Sequence, residues 1–141
     1  MSKRDLLFRQ VHPAHINNGL SSGAFRPTPS DEDQLSVDCG NLTTAQAAFE
    51  LHKLKTKVDS SGVVEFLETA GTWAFGRADC AAEGLTVNPD PMEAVVNQPD
   101  NHAHHLVDFS SITGAPKKKN DAASKRLRRQ AELYGRLWPN G

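Results

Sequence analysis

The sequence predicts an α+β fold: a small mixed or antiparallel sheet, a central helix at about 43–58 and an amphipathic C-terminal helix at about 121–138. Three observations lead there. Short apolar or alternating stretches, bounded by Pro, Gly and Asn, recur along the chain as strands do. Only two stretches combine helical spacing with start and stop signals, too few for a doubly wound sheet. The length of 141 residues suits one domain.

The elements follow in order. Leu6 to Val11 reads as a first strand, stopped by His12-Pro13. Asn17-Asn18-Gly19 signals a turn. Ser21 to Arg26 reads as a second extended piece closed by Pro27 and Pro29, and Ser30-Asp31-Glu32-Asp33 as a solvated acidic loop. Leu35-Ser36-Val37-Asp38 alternates apolar and polar, as a strand with one buried face does. Thr43 with Gln46 three residues on matches a capping box, and Ala47, Leu51, Leu54 and Val58 follow at helical spacing. Ser60-Ser61-Gly62 ends that helix, and Val63 to Glu68 has strand composition. Gly71 to Phe75 extends it or starts another strand, and Ala78 to Gly84 suits a short helix. Asn88-Pro89-Asp90-Pro91 and Gln98-Pro99-Asp100-Asn101 read as loops, with Met92 to Val96 between them unassigned. His104 to Phe109 reads as the last strand, broken by Gly114-Ala115-Pro116. Asn120 or Asp121 caps the final helix, whose Ala123, Leu127, Ala131, Tyr134 and Trp138 share one face.

Charge divides the chain into an acidic body, residues 1–115, and a basic C-terminal helix, 116–141, read as parts of one domain. The body carries 8 Lys/Arg against 15 Asp/Glu, a net of −7; the tail carries 8 against 2, a net of +6. Such segregation suggests self-association or capture of a polyanion. Lys117, Lys118, Lys119, Lys125, Arg126, Arg128, Arg129 and Arg136 are the candidate contacts to a partner or to nucleic acid. Nucleic-acid binding through them would be electrostatic and non-specific. The bland alternative is a helix docked on its own acidic body.

No apolar run approaches the ~18 residues of a membrane span. The start of the chain lacks the apolar stretch of a secretory signal, so a cytoplasmic protein of bacterial or phage type with free Cys39 and Cys80 is expected. Five of the six histidines fall in two groups, His12/His15 and His102/His104/His105. Without CxxC or HExxH spacing they suit hydrogen-bonded loop and edge positions better than a metal, so no metal site is assigned. Both cysteines follow an aspartate, which disfavours a reactive thiolate.

The order of an early strand with Arg9, a middle strand with Ser36, a helix with Glu50 and the strand 63–68 loosely resembles ADP-ribosyltransferase-like folds, including RES-domain NAD-degrading toxins. That resemblance implies NAD as cofactor, with Arg9 holding a pyrophosphate or ribose and Ser36 at the middle motif. Glu50 would be the acid, assisted by His12 or His104. The Gly-rich, Trp-containing segment of RES domains is missing, and the chain's only tyrosine is Tyr134. The blocks Arg9-Gln10-Val11-His12-Pro13, Leu35-Ser36-Val37-Asp38 and Asn101-His102-Ala103-His104 also resemble those of a family of small uncharacterised bacterial proteins, which implies no mechanism. With no complete catalytic set, the leading expectation is a binding module without a cofactor that acts with a protein partner. An NAD-using enzyme is the alternative and nucleic-acid binding a second alternative.

Overall fold

The computed structural model describes residues 6–27, 34–94, 99–110 and 116–139, with the backbone alone for 116–120. The fold is α+β. Five strands form one antiparallel sheet in the order β5-β1-β2-β7-β6: β1 (Leu6–Val11), β2 (Gln34–Cys39), β5 (Gly71–Gly76), β6 (Thr86–Pro89) and β7 (His104–Asp108). A separate hairpin pairs β3 (Thr56–Val58) with β4 (Val64–Phe66). Three α-helices complete the described residues: α1 (Ala45–Leu54), α2 (Arg77–Ala82) and α3 (Pro116–Tyr134).

Side-chain alternation gives the sheet two different faces. One carries Leu7, Val11, Leu35, Val37, Phe75 and Val107, all buried in a single cluster. Helix α3 closes that face with Ala123, Leu127 and Ala131, each fully buried and four residues apart. Phe25 and Phe75 meet there edge to face, with ring centroids 5.9 Å apart. The other face is more lightly covered. Leu6, Phe8 and Ala74 pack against Ala48 of α1, with Ala45 and Leu137 at the margin. Beyond α1 this second face is floored by polar side chains, and the cleft lies there.

Several elements differ from the sequence reading, for local physical reasons. Thr44, not Thr43, caps α1: its hydroxyl accepts from the Ala47 amide at 3.1 Å, while Gln46 donates to Glu50. The helix ends at Leu54, and residues 56–58 turn into a strand. Ala48 is its buried residue, with Ala45, Leu51 and His52 half-buried and Ala47, Leu54 and Val58 exposed; the small Ala45 and Ala48 let it lie close over Phe8 and Ala74. Asp59 nucleates the hairpin by accepting from the amides of Ser61 and Val63, and Gly62 supplies the left-handed residue at φ 86°. Residues 22–25 form a 3-10 turn capped by Ser21, not an extended piece. β6 takes up residues 86–89, where a loop was expected from Asn88 onward, and Pro89 fits because an edge strand needs fewer ladder donors. Pro116 opens α3 instead of ending the preceding strand, in the first-turn position proline tolerates.

Trp138 does not belong to the final helix. After Tyr134 the chain turns back and runs beside β5: the Leu137 amide donates to the Thr72 carbonyl, and the Thr72 amide to the Trp138 carbonyl. Gly71 is required by this approach. A Cβ there would sit 2.8 Å from the Trp138 carbonyl oxygen, at a φ of 154°. The acidic stretch 30–33 and residues 114–115 lie outside the described residues.

Candidate functional site

β1 pairs with β5 over six residues but with β2 only at Leu7 and Phe8. From Arg9 onward β1 and β2 part. The Arg9 guanidinium enters the gap, its Nε donating to the Ala24 carbonyl at 2.8 Å and its Nη1 to the Ser36 carbonyl at 2.9 Å. A side chain thus meets a carbonyl where the ladder with β1 has ended. These two bonds hold the guanidinium between the 3-10 turn and β2.

Around this group lies a cleft of two lobes that share Arg9, Gln10, His52 and Leu67. The first lobe, about 520 Å³, has Ser36, Asp38 and His104 on its floor, with Lys55 and Asp90 at its sides. Asp38 is buried and accepts from Asn101 Nδ2 at 2.7 Å. His104 is buried as well. Its Nδ1 lies 3.0 Å from the Asp90 main-chain oxygen and 3.1 Å from the Asp90 carboxylate, two acceptors that assign the proton to Nδ1 and leave Nε2 as acceptor in the neutral ring.

The second lobe, about 660 Å³, gathers His12, His15, His52 and Lys57, and the hairpin forms one wall with Val64 and Phe66. His12 Nδ1 accepts from the Ala14 amide, which places the proton on Nε2, 3.2 Å from the Glu68 carboxylate. Burial, Lys55 and Arg9 push the His52 imidazole down to about 4, against a hydrogen bond to the Glu68 main chain that favours its charged form. His15 is also held below the usual imidazole range by burial, Arg9 and His12. The sign follows from linkage. A histidine whose folded value is depressed contributes stability fully present above its unfolded value near 6.5, lost as pH falls toward 4. The urea midpoint of the protein is therefore expected to fall over that window, and His52→Gln is expected to flatten the profile there.

The structure brings Arg9, Ser36 and His104 to one lobe and Arg9 and His12 to the other. It does not bring Glu50, which is exposed on α1, lines neither lobe and accepts from Gln46. The tail cations lie elsewhere. Arg126 pairs with Glu83 and Arg128 with Glu132, while Lys125, Arg129 and Arg136 are exposed on or just after α3. The side chains of Lys117, Lys118 and Lys119 lie outside the described residues. The sequence reading missed His52, Lys55, Lys57, Asp38 and Asp90. His52 stands apart from the histidine groups in sequence; the available signal was its place four residues after Ala48, on the stripe α1 turns to the sheet.

Cys39 and Cys80 are free and buried, and burial beside Asp79 pushes the Cys80 thiol up to about 12. Among the described residues no group of three or more His, Cys, Asp or Glu side chains is placed to hold a metal ion, and no helix is long and apolar enough to cross a membrane. Comparison with family models, curated proteins and solved structures finds no match to this chain.

Proposed function

We propose that the chain is a non-catalytic binding module that works with a protein partner in the cytoplasm of a bacterial cell, and that the partner packs on the β3–β4 hairpin. The observation that carries this is the exposure of the hairpin's apolar side chains: Val58 is 53% exposed, Val63 53%, Val64 56% and Phe66 67%, with Leu54 beside them at 61%. An isolated two-stranded hairpin is marginal in water and needs a surface to pack on. Apolar side chains gathered in one place, rather than scattered singly, are a mark of interaction surfaces. A photo-crosslinker at position 63 is expected to trap one predominant protein in the host cell, and Phe66→Glu is expected to abolish that product. An identical set of products from both chains would overturn the reading. A product of twice the chain mass would identify the partner as a second copy.

The convergence of Arg9, Ser36 and His104 favours a second reading, an ADP-ribosyltransferase-like enzyme using NAD. Glu50 is exposed and lines neither lobe, so Asp38 would have to take the acid's role. Release of free nicotinamide from NAD that disappears in Arg9→Gln and Asp38→Asn, with both variants folded, would put this reading first.

A further inference from the structure

We propose that the first lobe of the cleft binds a neutral ligand through a cis-1,2-diol, of the kind a sugar or a nucleoside carries, with the two hydroxyls donating to Asp38 and His104. These residues are register partners across β2 and β7, so their side chains rise from the same face of the sheet with Cβ atoms about 5 Å apart. Asp38 is 9% exposed and His104 6%. Each has one polar atom committed within the fold: Asp38 Oδ1 accepts from Asn101, and His104 Nδ1 donates toward Asp90. The remaining polar atoms, Asp38 Oδ2 and His104 Nε2, meet no hydrogen-bonding group among the described residues, and neither is sealed from solvent. Both residues line the lobe, so two acceptors open into it from adjacent strands.

A pair of acceptors calls for a pair of donors. An ammonium ion offers them, but Lys55 lines the same lobe and repels it, while an anion is repelled by Asp38 and Asp90. Hydroxyl groups bring donors without charge, and their oxygens can accept in turn from Lys55 or from Ser36, which shares the face of Asp38 two residues away. Beside this polar floor Phe8, Met92 and Leu106 give an apolar wall for the C–H face of a ring. A volume of about 520 Å³ accommodates a furanose with a substituent on it. Val58, Val63, Val64 and Phe66 do not line this lobe, so the site is distinct from the surface assigned to the protein partner. Occupying it requires no bond to break, so it is also separable from nicotinamide release.

The test is titration of the intact chain, followed by the nitrogen resonances of the His104 ring, with methyl ribofuranoside and adenosine, each beside its 2-deoxy counterpart, and with ethylamine. The diols are expected to bind saturably and to shift Nε2, and the deoxy compounds to bind about tenfold or more weakly for want of a donor to a buried acceptor. Comparable binding by both diols would identify a free sugar as the source, and binding by adenosine alone a nucleoside. Asp38→Asn keeps an oxygen for Asn101 and His104→Asn keeps a donor for Asp90, while each removes the acceptor turned to the lobe. Both variants are expected to weaken the diol about tenfold or more and to bring the ratio of diol to deoxy affinity toward unity. That ratio in the unaltered chain tests the site even if a variant fails to fold. Equal affinity for diol and deoxy compounds would overturn the proposal. So would tighter binding of ethylamine than of either diol, a ratio unchanged in both folded variants, or the lack of saturable diol binding at millimolar concentration.

Discussion

Leu127→Ala is expected to lower the free energy of unfolding by about 2–5 kcal/mol. Leu127 is fully buried, and its neighbours on the α3 stripe are Ala123 and Ala131, so it is the large side chain this helix drives into the sheet. It packs into the cluster that holds Phe25, Phe75 and Phe109, where three rings leave little freedom to collapse into a void. For a domain whose total stability is of the order of 5–15 kcal/mol, that loss is a large fraction. Urea denaturation followed by circular dichroism measures it: the midpoint drops, while the slope stays near the wild-type value if the folded state is unchanged. A shift under about 0.5 kcal/mol, the size of an ordinary surface substitution, would mean that α3 is peripheral to the core. The same packing bears on experiments with the basic tail. Removing residues 117–141 would strip the cover from one face of the sheet, so the tail's cations are better probed by Lys125→Glu and Arg129→Glu.

Asn101→Leu is the second large effect, expected to cost about 1.5–3 kcal/mol, the range for a hydrogen bond to a charged group. Asn101 is 4% exposed and joins three segments through its side chain and main chain. Its Nδ2 donates to Asp38, its Oδ1 accepts from the Ala103 amide, and its backbone exchanges both hydrogen bonds with Met92. Leucine is close in volume but leaves the Asp38 carboxylate buried without its donor. The double variant Asp38→Leu/Asn101→Leu should recover part of the loss, because neither polar group is then stranded. Additive losses in that cycle would show that the two side chains do not act together.

Much of the architecture is legible in the sequence where the signal is local. Leu6 to Val11, Leu35 to Asp38 and His104 to Phe109 read as strands because their alternation or apolar content matches what burial against a helix requires. The stripe of Ala123, Leu127 and Ala131 also reads correctly, since four-residue spacing points to one face. Pairing is a different matter. Nothing near Leu6 says that its partner is Gly76, or that residues 137–138 will lie beside Thr72. The hairpin was misread because Leu54 and Val58 continue an apolar helical spacing that the structure spends on an exposed surface. The cleft was half legible. Arg9, Ser36, Glu50, His12 and His104 all come from the order of elements that resembles ADP-ribosyltransferase-like folds; Glu50 alone of them lines neither lobe, because order along the chain does not fix the direction a helix faces. His52, Lys55 and Lys57 come together with Arg9 only after α1 has been laid across the sheet.

The pairing of residues 137–138 with Thr72 also constrains when the protein can form. The central strand β1 is made first, but one of its neighbours comes from residues 71–76, and β2 takes its other neighbour from residues 104–108. The segment beside β5 follows only at residues 137–138. A chain emerging from the ribosome therefore holds β1 with one edge unpaired until residues 71–76 have followed, and the cover of α3 comes later still. Contacts so distant in sequence slow folding and leave strand edges exposed to other chains meanwhile. Stalling translation between residues 110 and 120 should yield nascent chains that proteases cut readily. Stalling with residue 138 clear of the exit tunnel should yield resistant ones.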